Sequence, residues 1–294
     1  MKEKRLSIVS QVRALQEEVR SLREEVRRER EEVLVGALLR RGFRCFSKDG
    51  SVTLILPMGD GSRERFYRLL RKYSFRLFLR DVIRNRESFS LRDLLRYCSE
   101  ESARAYLSVL VQGGLIERFP RRRFRLRDQR IISFGDTLEW LVCQILEREF
   151  HIPAAWGLRV EDNQRGGDFD VIGLMEGSFI YIEVKSSPPK HIEQQEVGAF
   201  FDRLETLRPH LAIFLEDTQL RMKDKIVVMF EEELRSRYGP SWRGGAPLVR
   251  LEREIFGISD RLFITNSDPD LVVNIGFCLG RYLRSQGVQL GWFS

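Results

Sequence analysis

Histidine and cysteine are scarce in this chain of 294 residues, which has three of the first and four of the second. His151, His191 and His210 show no metal-ligand spacing, and Cys45, Cys98, Cys143 and Cys278 are scattered without paired intervals. This argues against a zinc site or a disulfide frame and fits reduced, buried thiols in a cytoplasmic protein, with Cys143 in the core beside Trp140 and Ile145. Hydrophobic runs of membrane-span length are also missing, and the charged start carries no signal-peptide pattern, so no membrane partner is expected.

Charge is what the chain has in abundance. The net charge of +7 and the pI near 9.4 favour an anionic partner. Arginine greatly outnumbers lysine, which suits phosphate recognition, although a GC-rich genome or a hot habitat produces the same bias. The length allows about two domains with a substantial core.

Composition divides the chain into a helix over 1–40, a hairpin linker over 41–62, a second section over 63–130 and an α/β section over 131–294. In the first, Ile8, Val12, Leu15, Val19, Leu22 and Val26 alternate at spacings of three and four. With the valines at heptad position a and Ile8, Leu15 and Leu22 at d, the pattern predicts a parallel two-stranded coiled coil, a homodimer through residues 5–33. Glu18 then faces Arg23 of a partner helix and Glu25 faces Arg30, while Arg5 and Glu29 interrupt the seam at its ends. An amphipathic helix folded back on its own chain is the alternative. In the linker, Gly42, the turn Ser47–Gly50 and the alternating run Ser51–Leu56 before Pro57 predict a small hairpin.

The second section predicts a helix over 65–85, a short helix from Ser90 to Tyr97, and a further helix from Ser99 or Glu100 to Gln112, ended by Gly113-Gly114. Leu115-Ile116-Glu117, a basic tip at Arg121-Arg122-Arg123 and a return strand from Phe124 to Arg127 follow. This order resembles the winged helix-turn-helix family over about 60 residues. The resemblance implies that Arg104 and its neighbours face DNA and that Arg121, Arg122, Arg123 and Arg125 contact phosphates. A solvated basic turn on a protein-binding winged helix is the rival reading.

In the third section, helices are expected over 137–150, 190–207 and 223–238, and strands over 155–161, 168–175, 178–186, 210–215 and 261–265. A last helix is expected to open at Asp268-Pro269, and 239–247 reads as a surface loop. The expected fold is α/β, a mixed sheet flanked by helices.

The densest information lies in residues 168–185. If Glu176-Gly177 is a two-residue turn, Met175 faces Ser178, Asp170 lies opposite Glu183 and Asp168 opposite Lys185, all on one side of the sheet. Two carboxylates and an ammonium meeting there point to a divalent cation held by hard oxygen ligands, with a lysine beside it. A plain surface ion-pair ladder is the rival.

Asp170 followed by Glu183-x-Lys185, with Gly-Gly-Asp-Phe-Asp-Val-Ile ahead and the helix placement around it, resembles the PD-(D/E)xK nuclease superfamily over about 131–216. That superfamily includes many restriction enzymes and Holliday-junction resolvases; the acid here lacks the preceding proline. The resemblance implies a restriction-endonuclease-like domain in which Asp170, Glu183 and the carbonyl of Val184 ligate Mg²⁺ or Mn²⁺. Lys185 then orients or helps deprotonate water, and the products carry a 5′-phosphate and a 3′-hydroxyl. Glu139 matches an additional metal-site glutamate of resolvase-like members, yet Asp136-x-x-Glu139 is also a capping box. Gln195, with Gln194 as an equal rival, matches an active-site glutamine of some relatives, and Asp168 is a second ligand or a turn residue. The combination is similar to Mrr-type restriction proteins and implies a dimeric metal-dependent DNA endonuclease. The alternative is an inactive dimeric DNA-binding regulator on the same scaffold.

Overall fold

A computed structural model describes residues 2–47, 53–161, 166–239 and 247–287. The first helix, α1 (Lys2–Arg40), runs to a turn at Gly42, whose φ of 86° is a left-handed conformation that suits glycine. Strand β1 (Arg44–Ser47) follows. It joins the main sheet as an edge strand, antiparallel to β4 (Ala154–Glu161), and residues 48–52 lie outside the described residues. The turn of the small hairpin expected of the linker falls among residues outside those described.

The predicted helix over 65–85 is two helices, α2 (Asp60–Leu70) and α3 (Tyr73–Arg84). The break lets Phe66 and Phe75 meet edge to face at 5.6 Å, a packing that one straight helix forbids. A 3₁₀ turn (Leu91–Leu94) follows, with a reciprocal cap between Ser90 and Asp93. Helix α4 (Glu100–Gln112) is capped by the Ser99 hydroxyl, which accepts from the Ser102 N–H, and it ends at Gly113. Strands β2 (Ile116–Phe119) and β3 (Arg123–Leu126) form a hairpin whose tip residues Arg121 and Arg122 both have positive φ. Phe89 adds a bridge to Phe124 at the hairpin's other side.

The remaining elements are α5 (Gly135–Glu149), β5 (Gly166–Met175), β6 (Ser178–Lys185), α6 (Gln194–Leu207), β7 (Leu211–Glu216), α7 (Val228–Tyr238), β8 (Val249–Glu252), β9 (Ile255–Ile258), β10 (Leu262–Thr265) and α8 (Leu271–Gln286). The order across the eight-stranded mixed sheet is β1-β4-β5-β6-β7-β10-β9-β8, with β6–β7 and β7–β10 parallel. The short hairpin of β8 and β9 escaped sequence reading; its outer strand is largely exposed, so it carries little apolar pattern. Helix α8 opens two residues later than expected. Asp270, not Asp268-Pro269, is its cap, with a carboxylate that accepts from the N–H groups of Val272 and Val273.

Two apolar cores sandwich the sheet. On one face α5 and α8 pack over Val171, Ile180 and Ile182, and this core runs without a break into Phe66, Phe75 and Leu110 of the helix-turn-helix section. On the other, α6, α7 and the end of α1 cover Phe169, Tyr181 and Phe214.

Candidate active site

The turn at Glu176-Gly177 has φ of 50° and 77°, and the mirror-image turn this makes matches the twist of the flanking strands. It pairs Met175 with Ser178, and the ladder runs to Val171 with Ile182. There it stops. In a continued antiparallel ladder the N–H of Val184 would serve Phe169; instead it donates to the Asp170 carboxylate at 2.7 Å. On the other flank, pairing of β5 with β4 skips the Gly157–Asp170 position, and Gly157 has a φ of 57°. Asp170 thus occupies a local irregularity of both ladders, a common device for re-aiming a side chain.

Glu183 is fully buried, and its carboxylate collects three donors. Lys185 Nζ lies 2.9 Å away, Arg203 Nη1 of α6 lies 3.2 and 3.3 Å from its two oxygens, and the Tyr181 hydroxyl makes a short contact. Lys185 also reaches Glu196 of α6 at 3.2 Å. Burial raises the Asp170 carboxyl well above the usual range, and the charges of Glu183 and Glu139 push it further; the Val184 N–H and Lys185 only partly offset this. Burial alone would lower the pKa of the Lys185 ammonium, but contact with Glu183 outweighs that and the net shift is upward. Lys185 is therefore an ammonium ion here, suited to stabilising negative charge.

The structure brings Asp170, Glu183 and Lys185 together, with Glu139 of α5 buried nearby. The capping-box account of Glu139 does not hold. Helix α5 is capped at Phe134, and Asp136 instead accepts from the Thr53 N–H at 2.9 Å and the Thr53 hydroxyl at 3.1 Å. Asp168 stands apart from the expected position opposite Lys185. It is exposed and pairs with Arg159 of β4, and its carbonyl accepts from Arg203 Nε at 2.8 Å. The ladder ends before reaching it. Gln195 is exposed on α6, and Gln194 turns toward α7, donating to Met229 and Glu233. The α6 residue at the lysine is Glu196. Tyr181, Glu196 and Arg203 were missed from sequence; only the i, i+2 spacing of Tyr181 and Glu183 offered a clue.

The donor chemistry fits a hard divalent cation. Asp170 and Glu183 bring two carboxylates close enough to interact; the Asp170 carboxyl is raised first by burial and then by the charges of Glu183 and Glu139, charges that a cation would offset. Among the described residues no three Asp, Glu, His or Cys side chains form a ready ion cage.

The basic surface lies on the helix-turn-helix section. A groove of about 1180 Å³ runs between α4 and the β2–β3 hairpin, lined by Arg92, Arg104, Arg118, Arg121, Arg122 and Arg123 among others. Arg104 is held by Glu100, Arg125 by Glu117, and Arg123 by Ser88 through its hydroxyl at 2.5 Å and its carbonyl at 2.9 Å. Arg121 and Arg122 are exposed at the tip.

Fold and site together define a mixed α/β protein with an acid–lysine cluster where β5 and β6 part, joined to a helical section with a β-hairpin and an arginine-lined groove. No protein-family model and no curated protein matches the sequence. Among solved structures the chain is similar to protein VC1899 from Vibrio cholerae, with a TM-score of 0.49 and 14 % identity, over 86 % of this chain and 62 % of that one. It is also similar to Can2 from Sulfobacillus thermosulfidooxidans, solved in complex with cyclic tetra-adenylate, with a TM-score of 0.47 and 12 % identity, over 84 % and 59 %. The chain spans about three fifths of the length of each. Among the described residues no helix is long and apolar enough to cross a membrane.

Proposed function

We propose that the chain is a metal-dependent DNA endonuclease that hydrolyses phosphodiester bonds. The observation that carries this reading is the convergence of Asp170, Glu183 and Lys185 at a point where two strands part. The arrangement is expensive to build: a buried carboxylate is destabilising unless paired, and here the charges are concentrated in one place. A surface ion-pair ladder would leave them in solvent.

Asp170, Glu183 and the Val184 carbonyl would hold Mg²⁺ or Mn²⁺, which when bound acidifies water and offsets charge on the reacting phosphate. Lys185, an ammonium ion anchored by Glu183 and Glu196, stabilises the negative charge that builds on the phosphoryl oxygens. Arg203 and Tyr181 also hold the Glu183 carboxylate in place. In the hydrolysis a water oxygen bonds to phosphorus as the bond to the 3′ oxygen breaks, leaving a 5′-phosphate and a 3′-hydroxyl. The arginine-lined groove grips the phosphate backbone, with Arg104 on α4 and Arg121, Arg122, Arg123 and Arg125 on the hairpin as contacts that give position rather than sequence.

Cleavage of plasmid, branched and single-stranded DNA in Mg²⁺ or Mn²⁺ tests the reading. Asp170→Ala and Lys185→Ala should each abolish cutting while DNA binding persists. A second reading, an inactive DNA-binding regulator, is favoured by one observation: Glu183 is already satisfied by Lys185, Arg203 and Tyr181. Salt-sensitive binding without scission by the wild-type protein in any metal would select it.

A further inference from the structure

Helix α1 carries two separate apolar faces. Near its C-terminal end Leu34, Ala37 and Leu38 are buried in the core that covers β1 and β4. These residues fall at heptad positions b, e and f, so docking the helix on the body leaves the a/d seam unused. Along that seam Val12, Leu15, Val19, Leu22 and Val26 are between 45 % and 59 % exposed; Val33, at position a beyond the interruption at Glu29, is 54 % exposed. A continuous row of large apolar side chains in water is a mark of an interaction surface.

We propose that this seam is covered by the same seam of a second copy of the chain, as a parallel, in-register two-stranded coiled coil. Charge selects the partner and the direction. Position g carries Glu18 and Glu25, and position e carries Arg23 and Arg30. Parallel chains set g against e of the partner and pair opposite signs; antiparallel chains set g against g and e against e, acid on acid and arginine on arginine. Valine at a with leucine at d is the combination that favours two strands. Three good heptads are marginal for free peptides, but α1 is 39 residues long and its end is already fixed to the body, so the cost of starting the helix is met before the partner arrives.

Direction has a consequence for the site. In the parallel arrangement both bodies hang from the same end of the coil, and two catalytic clusters face one nucleic acid; an antiparallel coil would hold the bodies roughly 50 Å apart. That consequence rests on the nuclease reading, whereas the dimer does not.

The test uses the full chain without nucleic acid. Light scattering after gel filtration should give twice the chain mass of 34.6 kDa across the micromolar range. Leu15→Glu combined with Leu22→Glu should halve that mass and leave the unfolding midpoint of the body unchanged. Val12→Cys and Val26→Cys, each alone, should form covalent dimers on mild oxidation beyond the wild-type background from its own free cysteines. A wild-type monomer overturns the proposal, as does a crosslink that appears only when Val12→Cys and Val26→Cys chains are mixed, the signature of antiparallel pairing.

Discussion

Glu183 shows why the site is built from more residues than the motif contains. A carboxylate with about 1 % of its side chain exposed requires donors, and it takes them from Lys185, Arg203 and Tyr181. Tyr181→Phe removes one charge-assisted hydrogen bond and should lower stability by about 1.5–3 kcal/mol, read by denaturant unfolding, without changing DNA affinity. Glu216 is buried in the opposite sense. It ends β7 next to Lys185 in the parallel ladder, and neither carboxylate oxygen has a hydrogen-bond partner. Burial raises it to about 8 from an ordinary value of 4.5, and Glu196 and Asp217 add to this while Lys225 and Arg80 oppose it. The folded chain therefore keeps a proton that the unfolded chain releases. The associated stability is full below 4.5 and falls as pH rises through the window up to about 8. Glu216→Gln should remove that slope, so thermal midpoints of wild type and variant should diverge from mildly acidic to mildly alkaline buffer; parallel curves would contradict it. At this scale alternation on a hairpin, a local rule, picked out the two carboxylates and the lysine, but not their register: the ladder ends at Val171 and Ile182, and Asp170 accepts from the Val184 N–H instead. Tyr181, Arg203, Glu196 and Glu216 were not legible, because their roles depend on how α6 and β7 pack.

Between elements, the strongest single tie is Asp217, just past the end of β7. Arg76 of α3 grips it with Nε at 3.0 Å from both oxygens and Nη2 at 2.8 Å, and Arg80 adds a contact at 2.5 Å. Although burial opposes ionisation, the two arginines hold the Asp217 carboxyl below its ordinary range. Its N–H donates to the Lys185 carbonyl at 2.8 Å, so the helix-turn-helix section is fastened to the strand end that bears the lysine. Asp217→Ala leaves Arg76 and Arg80 without their shared counter-charge and should cost about 3–5 kcal/mol, whereas replacing all three together, Arg76→Met and Arg80→Met with Asp217→Leu, should cost much less. Equal losses in chemical denaturation for the single and triple variants would refute this. No sequence pattern announces a pair 141 residues apart. The elements themselves were mostly legible from capping residues and alternation, as Ser99 and Glu176-Gly177 show. The exceptions have physical reasons: the kink between α2 and α3 serves a phenylalanine contact, and the 41–62 linker supplies a strand to a distant sheet edge.

For the whole molecule, one apolar core runs from the helical section that carries the arginine groove into the sheet that carries the acid–lysine cluster. On the nuclease reading proposed above, a nucleic acid lying in the arginine groove would contact the same body that carries Asp170 and Lys185, and two such bodies on a parallel coil would suit a duplex with two strands to cut. Disrupting the seam with Leu15→Glu and Leu22→Glu should favour nicks over double-strand breaks while single-strand cleavage per chain persists. The measurement that tests the central claim most directly is supercoiled plasmid incubated with Mn²⁺ or Mg²⁺, wild type beside Asp170→Ala. Wild type should convert it to nicked and linear forms, chelator should stop the reaction, and Asp170→Ala should bind the plasmid and leave it intact. Equal cutting by both proteins, or cutting that persists in chelator, would contradict the account.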